Sequence, residues 1–519
     1  MGLNRRTILG TAATLAGSSS MDLARAQETG FSLTVTADLG ADRGQNFGTL
    51  FEARDGQGRL IATAGFPALY NTRFRMDRHA VQFCVFPLRG GFRPTLTRVP
   101  RPDDDAGLYL FDHDGRIYAS NDSNGRGFSE WDPAKGAWGK PTGAVAGLMT
   151  QNDGVCRAGS GILRFISGQV EFEGRVVLPR STRGSYNHFY FAQGRLFFYH
   201  TVRLAGGGFT ELVAAPWDPT SGDPIDLDRA VRYPIQPLGM VTWAWGQHAD
   251  EVLTVSNWGG VYAFRDGVWR TLREHSPGVS YQVYSMLTSE DRLLLGQYPT
   301  GEIFAYDGKS LTHLPGSPPR MPLVSGSARE CQTLGVYAGR LWAGVWPWGE
   351  VWSRPTAGGE WQFADRLFSH PTPTEGAVHP YEKECLARGL VVNDWGQRVT
   401  SMTAVGDALY LSTSAKGNHR WDPRFDFMTA EQRKEYGAVV KIRIPGCLTT
   451  PIRWKPRAIR LSFDFDGTRL SISQDGDLLA RCSAPELSGL VGRPVQFRLQ
   501  SGIFGPSEPR NVIRSSRIL

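Results

Sequence analysis

The stretch SYNHFYFAQGRLFFYHT, residues 185–201, sets Tyr186, Asn187 and His188 at the head of an apolar, aromatic-rich segment. A strand made only to be buried has no use for that polar triplet. Comparable groups stand at the heads of four later apolar segments: Trp243 to His248, Ser280-Tyr281-Gln282, Arg329-Glu330, and Asn393 to Arg398 in NDWGQR. Imidazole and phenol groups can move protons, guanidinium and amide groups can hold an anion, and aromatic rings offer flat apolar faces. Such chemistry requires the five heads to converge, so the architecture that carries them has to be found first.

One pattern recurs along the chain. DEVLTVSNWGGVYAFRDGVWRTL (250–272) reads as strand, Gly turn, strand, Asp-Gly turn, strand, and DRLLLGQYPTGEIFAYDGKSLTHL (291–314) repeats it. So do GRLWAGVWPWGEVWSRPTAGGEWQFA (339–364) and GRIYASNDSNGRGFSEWDPAKGAW (115–138), with weaker copies at 161–179, 185–219 and 406–423. A further apolar strand precedes each copy, such as VYSMLTS (283–289) before Asp291. Four strands per unit at a period of roughly 40–50 residues is the signature of a β-propeller. One such sheet cannot bury both faces alone, whereas radially packed sheets cover one another.

The pattern predicts an all-β chain with a seven-bladed β-propeller over 106–445. The first strand of each unit would line the central channel, and the five heads would meet at one mouth. The ends, 27–105 and 446–519, alternate apolar and polar residues around Gly-rich or Asp-Gly turns and are each too short to stand alone. They are expected to pair as a small β-sandwich beside the propeller. The irregular insertion at 370–399 is expected to cap one face. Two packed sheets without a propeller are the alternative architecture.

Residues 1–26 read as an export signal: Arg5-Arg6 before an apolar run resembles a twin-arginine signal, and Ala24-Arg25-Ala26 suits a signal peptidase. That places the mature chain in the periplasm or outside the cell. The formal charge is +7; removing Arg5, Arg6 and Arg25 with Asp22, a net +2, leaves +5. This mild basicity suits an anionic partner, and no Lys/Arg-rich tract points to nucleic acid. No later run approaches the ~18 apolar residues of a membrane-spanning helix. The six cysteines show no CxxC spacing and give no pairing. A monomer is expected.

Other motifs are poor. GxSxG, HExxH and GxxxxGK[ST] are absent, and NDSNGRGFSEWD (121–132) lacks the residue order of a sialidase Asp box. His370, His379 and Cys385 are candidate zinc ligands by type though not by spacing. Asp112, Asp114 and RPDDDAG (101–107) are candidate calcium ligands, more simply read as solvated loop acids. No cofactor signature stands out; a structural metal ion is left open.

The propeller pattern, the export signal and the YNHF…GRLFFYH unit together resemble the secreted β-propeller polysaccharide lyases, ulvan lyases in particular. The resemblance covers about two thirds of the chain. It implies β-elimination in a uronate-containing polysaccharide, the partner being an acidic polysaccharide or oligosaccharide. It further implies His188 as the base, Tyr186 or Tyr281 as the acid, and Arg398 with Asn187 or Gln282 on the carboxylate. Trp243, Trp245 and Trp395 would stack on sugar faces. Two rival readings stand beside it. A glycoside hydrolase would need a carboxylate pair, with Glu330, Glu350, Glu302 and Asp394 as its stock. A non-catalytic binding propeller would retain a ligand without turning it over.

Overall fold

The computed structural model describes residues 30–517 apart from 38–47, 71–73, 76–79, 88–93, 103–106, 108, 121–126, 144, 146–153, 279, 290, 357, 418–422, 491–494 and 500–513. The expected export signal, 1–26, lies outside the described residues, as do parts of 101–107 and 121–132.

Strands make up most of the described chain, with short helices at Glu382–Ala387 and Ala430–Arg433. The hairpin connections follow from local chemistry. Asp266-Gly267 and Gln193-Gly194 both take positive φ (52° and 79°, 54° and 64°), as a tight two-residue turn between twisted strands requires. The strands such turns join are apolar along their length. Glu251–Ser256 is buried at every position, as expected of a strand covered on both faces.

Seven sheets follow one another along the described residues, each built on antiparallel strands that neighbour one another in chain order, four in each of the first six and three in the last. We number them by first strand: I, Tyr109–His113; II, Gly154–Ala158; III, Ser185–Ala192; IV, Thr242–His248; V, Gln282–Ser289; VI, Glu330–Tyr337; VII, Gln397–Val405. Each consecutive pair shares one apolar core, from Phe111 and Val155 between I and II to Trp342 and Met402 between VI and VII. Leu110 and Ile117 of sheet I then pack with Ala408 and Val439 of sheet VII, so the last sheet returns to the first. Packing is close: a Cβ on Gly246 would stand 2.7 Å from Cβ of Met286 in the next sheet.

The outermost strand of sheet VII comes from the other end of the chain. Thr95–Val99 pairs antiparallel with Val439–Arg443. Phe74–Arg75 joins sheet II and Ala68–Leu69 joins sheet VI. Three strands from the N-terminal segment thus belong to the repeat's sheets, and the expected boundary at 105/106 is not where the strands divide.

Two further five-stranded sheets mix both ends of the chain. One runs Asp477–Ser483, Arg469–Gln474, Ile459–Phe465, Phe31–Ala37, Arg514–Arg517; the other Cys447–Pro451, Ala80–Val85, Leu60–Phe66, Gly48–Asp55, Val495–Leu499. Ile459–Phe465 buries every second residue, the mark of a strand with one face inward. Phe463 from the first sheet packs against Phe51 and Phe83 of the second at 5.4 and 5.6 Å. Cys84 and Cys447, opposite one another across Ala80–Val85 and Cys447–Pro451, form a disulfide that spans 363 residues of sequence.

Candidate functional site

The first strands of sheets III to VII touch in succession, and that of VII touches that of I, so their heads share one end of the assembly. Each of these five strands slips by one residue against its hairpin partner near its start. The slip leaves His188 with Phe189, Trp243 with Ala244, Tyr284, Gln332 and Thr400 outside the regular pairing. A β-bulge re-aims the side chain it carries. His188 accordingly sits at φ 56°, the left-handed region that a non-Gly residue occupies only where its surroundings hold it.

Three of these bulge residues meet. The His188 ring lies edge-on to Tyr199 at 5.5 Å and to Trp243 at 6.4 Å. Trp243 stacks nearly parallel to Tyr284, 6.1 Å away with 4° between the planes, yet stays 44% exposed. Tyr284 donates its hydroxyl to Gln282 and lies beneath the Arg398 guanidinium, 5.9 Å from its ring centre.

Charge enters next. Glu330, fully buried, accepts from Arg398 at 3.2 Å on one oxygen and from Lys416 at 2.9 Å on the other. Lys416 also sits 4.2 Å over the Trp346 ring and 6.0 Å from that of Tyr298. Trp346 in turn carries His379 of the insertion at 5.2 Å. Two cations against one carboxylate leave this cluster with one net positive charge.

Burial sets the proton affinities. It pushes the His188 imidazole down to about 4, so that the ring is neutral through the physiological range. It holds the Tyr284 phenol well above its usual range, with Glu330 adding to the effect. Burial also lowers His379, helped by Lys416 and opposed by Glu382 and Glu330. For Arg398 burial alone would act downward, but Glu330, Tyr109 and Tyr284 outweigh it and raise the group.

The structure distributes the residues singled out in the sequence unequally. His188, Trp243, Gln282 and Arg398 fall within the cluster just described. Asn187 is next to it, its amide reaching Ser185 at 3.4 Å while its buried carbonyl oxygen has no partner among the described residues. Tyr186 is elsewhere: the bulge after it turns His188 toward sheet IV, whereas Tyr186 packs edge-on against Phe198 and His200 in the core shared with sheet II. Tyr281 lies under Arg273 at 4.9 Å and against Phe304, its hydroxyl pushed up to about 12 by burial against the pull of Arg273.

Two tryptophans expected on sugar faces need correction. Trp245 is 2% exposed, stacked on Tyr190, and its indole N–H donates to the His188 carbonyl at 2.7 Å. Trp395 is fully buried between Phe425 and Tyr436. Both are core residues. The candidate zinc ligands also part company: His370 bonds Tyr381 at 2.6 Å and Glu435 at 3.0 Å, His379 lies on Trp346, and Cys385 is in the core. No cluster of three or more metal-ligating side chains occurs among the described residues. Asp112 is buried beside Thr403 at 3.1 Å and raised to about 6 by that burial; Asp114 pairs with Arg157. The carboxylates kept for hydrolysis are engaged too, Glu350 with Arg329 at 3.2 Å and Glu302 with His313 at 2.6 Å.

Tyr284, Lys416 and Trp346 were not among the sequence candidates. Tyr284 offered a weak signal, standing two residues after Gln282 in an otherwise apolar run. Lys416 offered none, because it follows the second strand of its sheet. A cavity of about 660 Å³ lies at the far end of Ser185–Ala192, lined by Gln193, Trp217, Asp223 and Arg229 among others, away from this cluster. Its Asp218 and Asp226 cap their own turns.

No family model matches the chain, and no curated protein matches it. Solved structures give distant likenesses. YCF48 bound to D1 peptide shares 12% identity over 69% of this chain and 96% of its own, with a TM-score of 0.35. The WD40 β-propeller domain of Doa1 shares 10% over 68% and 96%, with a TM-score of 0.33. The computationally designed Ika8 protein shares 10% over 67% and 97%, with a TM-score of 0.34. Such values carry no argument about function. The all-β, propeller-like character of the chain stands on its own four-stranded sheets. No described helix is long and apolar enough to cross a membrane.

Proposed function

We propose that the seven sheets are the blades of one seven-bladed β-propeller, with the two mixed sheets as a small β-sandwich beside it. In this reading the shared cores, including the one between the last sheet and the first, close the ring, and Thr95–Val99 completes the last blade. We further propose export to the periplasm or beyond. The Cys84–Cys447 disulfide supports this, since such bonds persist in oxidising compartments.

We propose that the mouth at the heads of blades III to VII binds an acidic saccharide. One observation carries the reading: Trp243 is exposed, flanked by His188 and Tyr284, and adjoins a cluster with one net positive charge. An indole face suits the C–H groups on the face of a sugar ring. A neutral imidazole offers one donor and one acceptor to its hydroxyls, and an ammonium or guanidinium suits a carboxylate.

The same site also admits a catalytic reading, β-elimination at a uronate, in which His188, turned out of the ladder beside Trp243, is the candidate base. His188 would take the C5 proton, the C5–H electron pair would form the C4–C5 double bond, and the C4–O4 bond would break. A phenol would return a proton to O4, and Tyr284 replaces Tyr186 and Tyr281 as the candidate because it faces the same cluster as His188. Hydrolysis has less support, the buried carboxylates being bound to cations. The test is to incubate purified protein with a panel of uronate-containing polysaccharides, following retention, reducing ends and the ultraviolet absorbance of unsaturated uronate. Rising absorbance, lost in folded His188→Ala, is expected. Reducing ends without absorbance would overturn elimination, retention with neither would leave a binding propeller, and no retention would overturn the site.

A further inference from the structure

We infer that Lys416, and not Arg398, is the residue through which this mouth reads the charge of its saccharide; the inference rests on the acidic-saccharide reading above. Arg398 was the natural choice in the sequence because it heads a first strand. Its surroundings disqualify it. The side chain is 14% exposed, lies over the Tyr284 ring, and is committed to a carboxylate that is itself fully buried. Drawing the guanidinium away toward a ligand would strand that carboxylate, and a buried charge that loses its partner is strongly destabilising. Arg398 is the fixed counter-ion of Glu330.

Lys416 is placed differently. It directly follows Ala408–Ala415, the second strand of sheet VII, and its side chain is 27% exposed, about twice the value for Arg398. An ammonium group has three N–H donors. Glu330 accepts from one at 2.9 Å and the Trp346 face lies 4.2 Å below the nitrogen, which leaves donor capacity toward solvent. With Arg398 and Glu330 neutralising one another, the surplus positive charge of the cluster rests on Lys416. Its long stem can turn outward without breaking the Arg398–Glu330 pair. Trp243 then reads the ring and Lys416 reads the carboxylate, from different sheets and with separable effects.

That separability supplies the test. Affinities of the full protein for a polyuronate, and for the same polymer with its carboxyl groups reduced to alcohols, are measured by calorimetry at fixed ionic strength. The wild type is expected to prefer the acidic polymer by roughly 10-fold, the scale of one charge-assisted hydrogen bond. Lys416→Met should abolish the preference, bringing the affinity for the acidic polymer down to that for the reduced one, and Lys416→Arg should keep it. Lys416→Gln, which retains an N–H donor for Glu330, serves if the Met variant fails to fold. Retention of the preference in either neutral variant overturns the inference and leaves the acidic-saccharide reading standing. Equal affinity of the wild type for both polymers overturns the inference as well. Binding of neither polymer refutes the underlying reading and the inference together.

Discussion

His188 offers the sharpest quantitative handle on the mouth. Held at φ 56° in the bulge of its strand, its ring is enclosed by Tyr199 and Trp243, and burial alone moves its proton affinity from 6.5 to about 4. At ~1.36 kcal/mol per pH unit, a drop of about 2.5 units corresponds to about 3 kcal/mol. The unfolded chain binds the proton below about pH 6.5 and the folded chain only below about 4. Stability from this group is therefore constant above about 6.5, falls as the pH drops toward 4, and is flat below that. Two measurements check it. The histidine Cε1–H resonances, with His188→Gln for assignment, should include one that titrates near pH 4, and Trp243→Ala should move it back toward 6.5. Denaturation at pH 7.5 and pH 4 should cost the wild type up to about 3 kcal/mol more than His188→Gln. Subtracting the variant removes the contribution of other titrating groups such as Asp112. A His188 resonance titrating near 6.5, or equal losses in both proteins, would refute the reasoning that the ring is desolvated by its aromatic neighbours.

Two further outcomes follow from the charge cluster and the chain ends. Glu330→Gln removes the carboxylate that faces both Arg398 and Lys416, so it should tighten binding of an acidic oligosaccharide and steepen its salt dependence, at a cost in thermal stability; weaker binding by a folded variant would contradict this. Alkylation of denatured, unreduced protein should label the four free cysteines Cys156, Cys331, Cys385 and Cys482 and spare Cys84 and Cys447. Cys84→Ser should lower stability by about 2–5 kcal/mol, and labelling of all six cysteines would refute the bond.

The repeat was legible because its signals are local. Tight turns with Gly and uninterrupted apolar strands recur within each unit, and each can be read within a few residues. Pairings across the chain were not legible. Nothing near Thr95 announces that its strand will complete a sheet begun at Gln397, and nothing near Lys416 announces Glu330, 86 residues earlier. A subtler loss came from the bulges. Side chains alternate faces along a strand, so residues 186 and 188, or 243 and 245, should share a face. One inserted residue breaks that rule and sends every later side chain to the other side. Tyr186 therefore parts from His188, and Trp243 is exposed where Trp245 is core.

The same bulge explains why a repeat can carry a site at all. A strictly regular propeller strand would hold its head residues in the ladder, pointing into one inter-sheet core or the other, where only apolar groups are tolerated. A bulge at the same place in five successive sheets relaxes that constraint, most plainly for His188 and Trp243, while Phe189 and Ala244 beside them stay in the cores. The repeat supplies the position and the residue type supplies the chemistry. Read in order, the freed positions run His188, Trp243, Tyr284, Gln332 and Thr400, an aromatic arc giving way to polar groups. Arg398, Glu330 and Lys416 gather where the arc ends at Tyr284. The acidic saccharide proposed as ligand would set the apolar face of its ring against the first part of this arc and its carboxylate against the second.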